Sequence, residues 1–155
     1  VDLFTKHAVL TETEMRARYE IHLENYCKVS AIEANTLLDM AQRRILPAVA
    51  RYTGDLAKGM AHKQEADLAG FCRIEDYLIR QVSFQGGQLL DVCQDLAQAL
   101  EKAPAADSGI DAARYYREQV VNRTQKAGEL VSQLESLVDA EAWPYPTYAD
   151  ILFSV

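Results

Sequence analysis

The feature that most constrains this chain is the long helical run that begins at Thr11. Thr11 and Glu14 have the spacing of a capping box, in which a hydroxyl accepts from a free amide and a carboxylate three residues later reaches back to the cap. Ser30 and Glu33 repeat that spacing, but no Gly or Pro interrupts the run before Pro47, where we expect a kink. The pattern predicts one helix over 11–57 with this apolar stripe: Met15, Tyr19, His22, Tyr26, Val29, Leu37, Met40 and Ala41.

Two further helices are predicted, over 67–102 and over 111–139. A polar segment, 58–66, precedes the first of them as a loop or a frayed helix end, and a Pro/Gly-containing linker, 104–109, precedes the second. Gly86 and Gly87 lie inside the first run and cost about 1 kcal/mol each relative to Ala, which indicates either a bend or a close neighbouring backbone. The stripes are Phe71, Ile74, Leu78, Val82, Leu89, Cys93, Leu96 and Leu100, then Ala113, Tyr116, Val120, Thr124, Ala127, Leu130 or Val131, Leu134 and Leu137.

Three amphipathic rods with short connections predict an all-α fold, an elongated antiparallel bundle. The C-terminal segment 143–155 differs, since its alternating prolines exclude a helix through them and predict an extended tail. Its aromatic content favours burial, either as a lid over its own bundle or against another domain or subunit. The candidate interface residues are Trp143, Pro144, Tyr145, Pro146, Tyr148, Ile151, Leu152 and Phe153.

Composition excludes several classes of partner. The net charge of −7 argues against nucleic acid and anionic membranes, and no apolar run approaches the roughly 20 residues of a membrane span. Cys27, Cys72 and Cys93 lack paired or zinc-ligand spacing, so we expect buried, reduced thiols in the cytoplasm. Residues 1–10 lack a signal-peptide pattern and an initiator Met, and they read as a lead-in from an upstream domain.

The sequence offers no convincing catalytic, cofactor or metal site. The double glycine lacks the Lys-Ser/Thr of a phosphate-binding loop, and no Gly-x-Ser-x-Gly turn occurs. A carboxylate-bridged metal pair in a helical bundle uses Glu-x-x-His, whereas His62 to Glu65 has the reverse order in a polar segment. His22 lies two positions from both Glu20 and Glu24, and positions two apart point to different helix faces, so His22 is expected in a core or an interface. We therefore predict no catalytic, cofactor-binding or metal residues.

Two segments resemble type III glutamine synthetases. One runs from Leu3-Phe4 to Tyr52 and the other is the tail, while the middle, 58–108, matches only as generic helix. The matching residues are Thr11 to Glu20, Leu23-Glu24-Asn25-Tyr26, Ile32-Glu33-Ala34, Ile45-Leu46-Pro47-Ala48, and Trp143-Pro144-x-Pro146-x-Tyr148-x-Asp150-x-Leu152-Phe153.

The resemblance implies a helical C-terminal domain of an enzyme that ligates ammonia to glutamate, with a role in assembly, stability or regulation. Such enzymes form homo-oligomers of stacked rings, and their ATP, glutamate and divalent-metal sites lie in an upstream catalytic domain. The implied partners are therefore that domain and neighbouring subunits, with no cofactor in this chain. A free-standing helical interaction module is the alternative, followed by a metal- or small-molecule-binding bundle that uses His22, His62 and buried tyrosines.

Overall fold

The computed structural model describes residues 6–7 and 9–153, and the side chains of residues 148, 149 and 153 lie outside that description. Helices dominate this described part, which contains no β-strand, so the all-α prediction is confirmed. The predicted lead-in over 1–10 falls largely on residues outside it. The helices are α1 (Glu12–Met40), α2 (Leu46–Glu65), α3 (Arg73–Glu101), α4 (Ile110–Tyr115), α5 (Asn122–Glu135) and α6 (Tyr148–Phe153).

The predicted capping box at the start of α1 is confirmed. The Thr11 amide donates to the Glu14 carboxylate at 2.8 Å, and the Glu14 amide donates to the Thr11 hydroxyl at 3.2 Å. A π-helical turn, Ala41–Ile45, then joins α1 to α2 without a break. Pro47 is the second residue of α2, and the wider turn lies where its ring would otherwise meet the preceding carbonyls.

Of the two alternatives predicted for 58–66, a loop or a frayed helix end, the loop is wrong, because α2 continues to Glu65. Contacts with α3 hold this last part of the helix in place. Lys63 forms an ion pair with Glu75, and the Cys72 thiol lies 3.9 Å from the Met60 carbonyl oxygen. Tertiary contacts therefore overcome the weak helical preference of this polar, glycine-containing stretch.

The helices α2 and α3 form an antiparallel hairpin in which Gly86 lies close to α2. A Cβ placed on Gly86 would lie 3.0 Å from Val49 Cγ1, whereas one on Gly87 would have no neighbour within 4 Å. Gly86 therefore permits a close approach of the two helices. The sequence alone had left two alternatives for the double glycine, a bend or a close neighbouring backbone. On the other side of α3, the Tyr115 hydroxyl donates to the Ala99 carbonyl at 2.8 Å.

Up to Val29 the core uses a different face of α1 from the one predicted, whereas Ala41, at the end of the predicted stripe, is buried as predicted. Tyr19, Tyr26 and Val29 are exposed, and the buried positions are mostly small. Small side chains let helices approach closely, while the larger apolar residues remain on the flank of the helix. The buried residues of α1, the π-helical turn and α2 are Cys27, Ser30, Ala34, Leu38, Ala41, Ile45, Ala48 and Val49.

The other two predicted stripes fare better. In α3 the core positions from Val82 onward are buried as predicted, but Phe71 and Ile74 are exposed. The third stripe is largely buried, although a π-helical turn, Tyr116–Val121, separates α4 from α5. Because such turns divide two of the predicted rods, the bundle of three long helices stays a prediction.

Candidate interaction surfaces

The tail divides into a buried half and an exposed half. Trp143 is 7% exposed and belongs to the core, and the half-buried Tyr145 packs against that core. The Arg44 guanidinium lies 5.9 Å from the centroid of the Tyr145 ring, within the range of a cation–π interaction. The first half of the tail therefore covers its own bundle as a lid.

The second half of the tail is a short helix. Thr147 and Asp150 form a capping box at its start, with the Thr147 amide donating to the Asp150 carboxylate at 2.8 Å. These hydrogen bonds lower the pKa of Asp150. The prediction of an extended tail is therefore wrong beyond Pro146, because the Thr-x-x-Asp spacing initiates a helix there. That spacing was a signal that the sequence reasoning missed.

The candidate interface residues of the tail thus have different surroundings. Ile151 and Leu152 project from α6 and are 66% and 71% exposed, and Pro146 is exposed too. Pro144 is half-buried, like Tyr145. The side chains of Tyr148 and Phe153 lie outside the described part of the structure.

A second apolar surface lies on α1 and consists of the part of the predicted stripe between Tyr19 and Val29. We call Tyr19, His22, Tyr26 and Val29 the α1 flank. All four side chains are exposed, with values of 52% for Tyr19 and 43% for Val29. An open groove of about 420 Å³ lies along this flank and is lined by His22, Asn25, Tyr26, Val29, Ser30, Glu33 and Val121.

A third apolar surface lies at the turn between α2 and α3. We call Leu68, Phe71, Ile74, Tyr77 and Phe84 the tip patch, and each of these side chains is between 46% and 73% exposed. The first two precede α3 and the others lie on one side of it. The sequence predicted Phe71 and Ile74 for the core and gave no reason to expect a surface here.

The candidate ligands for metal do not converge. His22 and His62 are exposed, Glu24 forms an ion pair with Lys28 at 2.5 Å, and Lys63 pairs with Glu75 across the hairpin. Within the described ranges, no group of three His, Cys, Asp or Glu side chains is placed to hold a metal ion. The three cysteines are free and buried, and burial raises the pKa of Cys27 and Cys93.

A polar pocket lies between α3 and the helices that follow it. It measures about 160 Å³, and its lining includes Tyr115, Gln119 and Arg123. Tyr115 donates to Ala99, and Arg123 donates at 2.7 Å to the carbonyl and at 2.9 Å to the side chain of Gln119. Tyr115 and Arg123 thus have partners within the chain, and the polar side chains of Asp95, Gln98 and Lys102 complete the lining.

Comparisons with known proteins show what this chain is similar to. Residues 1–64 match the family described as glutamine synthetase C-terminal domain. The chain is 28% identical over 155 residues, its whole length, to a glutamine synthetase of Butyrivibrio fibrisolvens, of which it covers 22%. It is 26% identical over 152 residues, 94% of the chain, to a glutamine synthetase of Bacteroides fragilis (strain YCH46), of which it covers 21%.

A third relative is itself described as a type-3 enzyme. The chain is 25% identical over 157 aligned positions, 99% of its length, to a type-3 glutamine synthetase of Dictyostelium discoideum, of which it covers 21%. The chain spans about a fifth of the length of these relatives, and no solved structure matches it. These matches confirm the predicted resemblance to the C-terminal helical domain of type III glutamine synthetases. Among the helices described, none combines the length and apolar content that a bilayer span requires.

Proposed function

We propose that this chain is the non-catalytic C-terminal helical domain of a cytoplasmic, type III glutamine synthetase-like enzyme. The full enzyme ligates ammonia to glutamate with ATP and a divalent metal, as part of nitrogen assimilation. The observation that carries the proposal is the similarity to glutamine synthetases over the whole chain, which covers only about a fifth of each relative.

The proposed role is assembly or stability of that enzyme, through an elongated bundle of three rods. The α1 flank supports this role, since it presents large apolar side chains at the end of the bundle nearest the proposed upstream catalytic domain. Aromatic side chains are enriched where proteins meet. In this proposal the catalytic domain covers the flank, while Ile151 and Leu152 dock on that domain or on a neighbouring subunit of a homo-oligomer.

The first test is enzymatic. Glutamine formation from glutamate, ammonia and ATP should be undetectable with the 155-residue chain, and present in the full-length protein that contains it. Activity of the isolated chain would refute the assignment to a non-catalytic domain. Absence of a catalytic domain from the native gene would support a free-standing interaction module instead.

The second test concerns the α1 flank and uses matched substitutions. Val29→Ser and Leu90→Ser each replace an apolar side chain that is 43% exposed, but Leu90 lies on α3 outside the three surfaces. In the isolated chain, both should change the free energy of unfolding by no more than about 0.5 kcal/mol.

In the full-length enzyme, only Val29→Ser combined with Tyr19→Ser should lower the thermal midpoint and release smaller assemblies on size-exclusion chromatography. Equal behaviour of the flank variant and the Leu90 variant would contradict the proposed contact. A flank variant that already unfolds the isolated chain would show that these side chains serve the bundle itself.

A further inference from the structure

Among the helices that the structure describes, none packs as a third helix against the outer part of the α2–α3 hairpin. Between Val49 and Val82, Cys72 alone among the described residues is buried. The turn is nevertheless held in place, since Lys63 and Glu75 form an ion pair and Cys72 contacts the carbonyl oxygens of both Met60 and Leu68. Two helices cannot bury an apolar face on both sides by packing only on each other. The hairpin therefore presents an ordered but uncovered apolar side.

The size of the tip patch is that of half an interface. Its exposed fractions run from 46% at Leu68 to 73% at Phe71. If a whole aromatic side chain has an area of 150–250 Å², the exposed area of the five side chains is roughly 600 Å² in total. That is the upper end of the apolar patches that monomeric proteins expose. Two such patches in contact would bury roughly 1,200 Å², the lower limit of a specific interface.

The charges around the patch permit contact with an identical surface. The chain carries a net charge of −7, so most pairs of faces on two copies repel each other. At the tip, however, Glu75 is paired with Lys63, and Asp76 is paired with Arg80 at 2.9 Å. Two further carboxylates, Glu65 and Asp67, and one further cation, Arg73, lie at the same turn, so residues 63–80 together carry a net charge of only −1 (three cations and four carboxylates).

The proposed catalytic domain precedes α1, so it lies at the opposite end of the α1–α2 run from the tip patch. This step of the argument rests on the proposed function. Glu12 and Glu65 are separated by about 80 Å of continuous helix axis. The part of the Butyrivibrio fibrisolvens relative outside the match is about 550 residues, and a compact body of that size is about 60 Å across. Attached ahead of α1, such a body leaves the tip uncovered.

We propose that the tip patch binds the tip patch of a second copy of this chain. Two hairpins brought together about a two-fold axis form a four-helix arrangement in which each supplies the missing side of the other. The contact buries Phe71, Ile74 and Tyr77 of both copies. It joins two copies at the end of the bundle far from the α1 flank.

The test is sedimentation velocity of the 155-residue chain from micromolar to several hundred micromolar. The wild-type chain should change with concentration from its 17.4 kDa monomer to a dimer. The double variant Phe71→Ser/Ile74→Ser should weaken dimerisation at least tenfold, while Leu90→Ser leaves it unchanged. Far-UV circular dichroism melts should coincide for all three proteins, since the substituted side chains are 73%, 70% and 43% exposed.

A wild-type chain that stays monomeric at the highest concentration would overturn the pairing, as would equal dimerisation of the tip and Leu90 variants. If the isolated chain is monomeric but the tip variant disrupts assembly of the full-length enzyme, the partner is the body of a neighbouring subunit and self-pairing is wrong. These results are separate from those for the α1 flank and for glutamine formation, which test the proposed function.

Discussion

The adjacent glycines of α3 provide a sensitive test of how closely α2 and α3 pack. Gly86 is buried, and a Cβ added there would lie 3.0 Å from Val49 Cγ1. Gly87 is exposed, and a Cβ there would meet nothing within 4 Å. Alanine raises helix propensity equally at both positions, so any difference between the two substitutions reports the contact with Val49.

The magnitudes follow from that geometry. Gly87→Ala should stabilise the chain by about 1 kcal/mol, which raises the thermal midpoint by about 2–4 °C for a protein of this size. Gly86→Ala gains the same propensity but compresses Val49, which is 6% exposed and stiff about χ1 because it is β-branched. Overpacking costs about 1–3 kcal/mol, so the net effect should lie between neutrality and about 2 kcal/mol of destabilisation.

The measurement is urea unfolding of the isolated chain, followed by circular dichroism, for both variants and for Val49→Ala and Val49→Ala/Gly86→Ala. Removing the Val49 methyl groups should convert Gly86→Ala into a stabilising substitution, with a coupling free energy of about 1–3 kcal/mol. If Gly86→Ala and Gly87→Ala stabilise the wild-type chain equally, the two helices do not approach as described and the reasoning fails.

Three further predictions concern the tail and the first helix. Trp143→Ala should destabilise the isolated chain by about 3–5 kcal/mol, because Trp143 is in the core. Leu152→Ala, at a position that is 71% exposed, should change the free energy of unfolding by no more than about 0.5 kcal/mol. Equal effects of the two substitutions in urea unfolding would contradict the division of the tail into a buried and an exposed half. Thr11→Ala should cost about 1 kcal/mol by removing the cap of α1, measured by thermal unfolding against Thr13→Ala. The hydrogen bond from the Thr11 amide lowers the folded-state pKa of Glu14. The stability that the Glu14 carboxylate contributes is therefore present above its unfolded pKa of about 4.3 and is lost as pH falls through the folded value. Glu14→Gln should remove this part of the acid dependence of unfolding, and an unchanged pH profile would contradict that expectation.

Local signals in the sequence were read correctly wherever nearby residues determine the structure. The cap at Thr11 depends only on Glu14, and the helical periodicity of α3 from Val82 onward identifies its buried face. The same cap spacing at Thr147 was overlooked because the preceding prolines dominated the interpretation. The tail helix was therefore predictable, and its omission was an error of reading.

The apolar stripe of α1 was a different kind of error. Tyr19, Tyr26 and Val29 have helical spacing and look like a core face, yet Cys27 and Ala34 occupy the core. Hydropathy measures which side chains favour burial, but it does not say which partner buries them. The same limit applied to Phe71 and Ile74, which have the right spacing and no covering helix.

By itself, the sequence determined the helical class of this protein, the capped start of α1, the buried cysteines and the resemblance to type III glutamine synthetases, because each depends on residue type at short range. Only the tertiary structure decided which face of α1 is buried, why Gly86 is a glycine, and where the tail turns from lid to projecting helix. Those features depend on how closely separate helices approach, and that distance is set by side chains far apart in the chain.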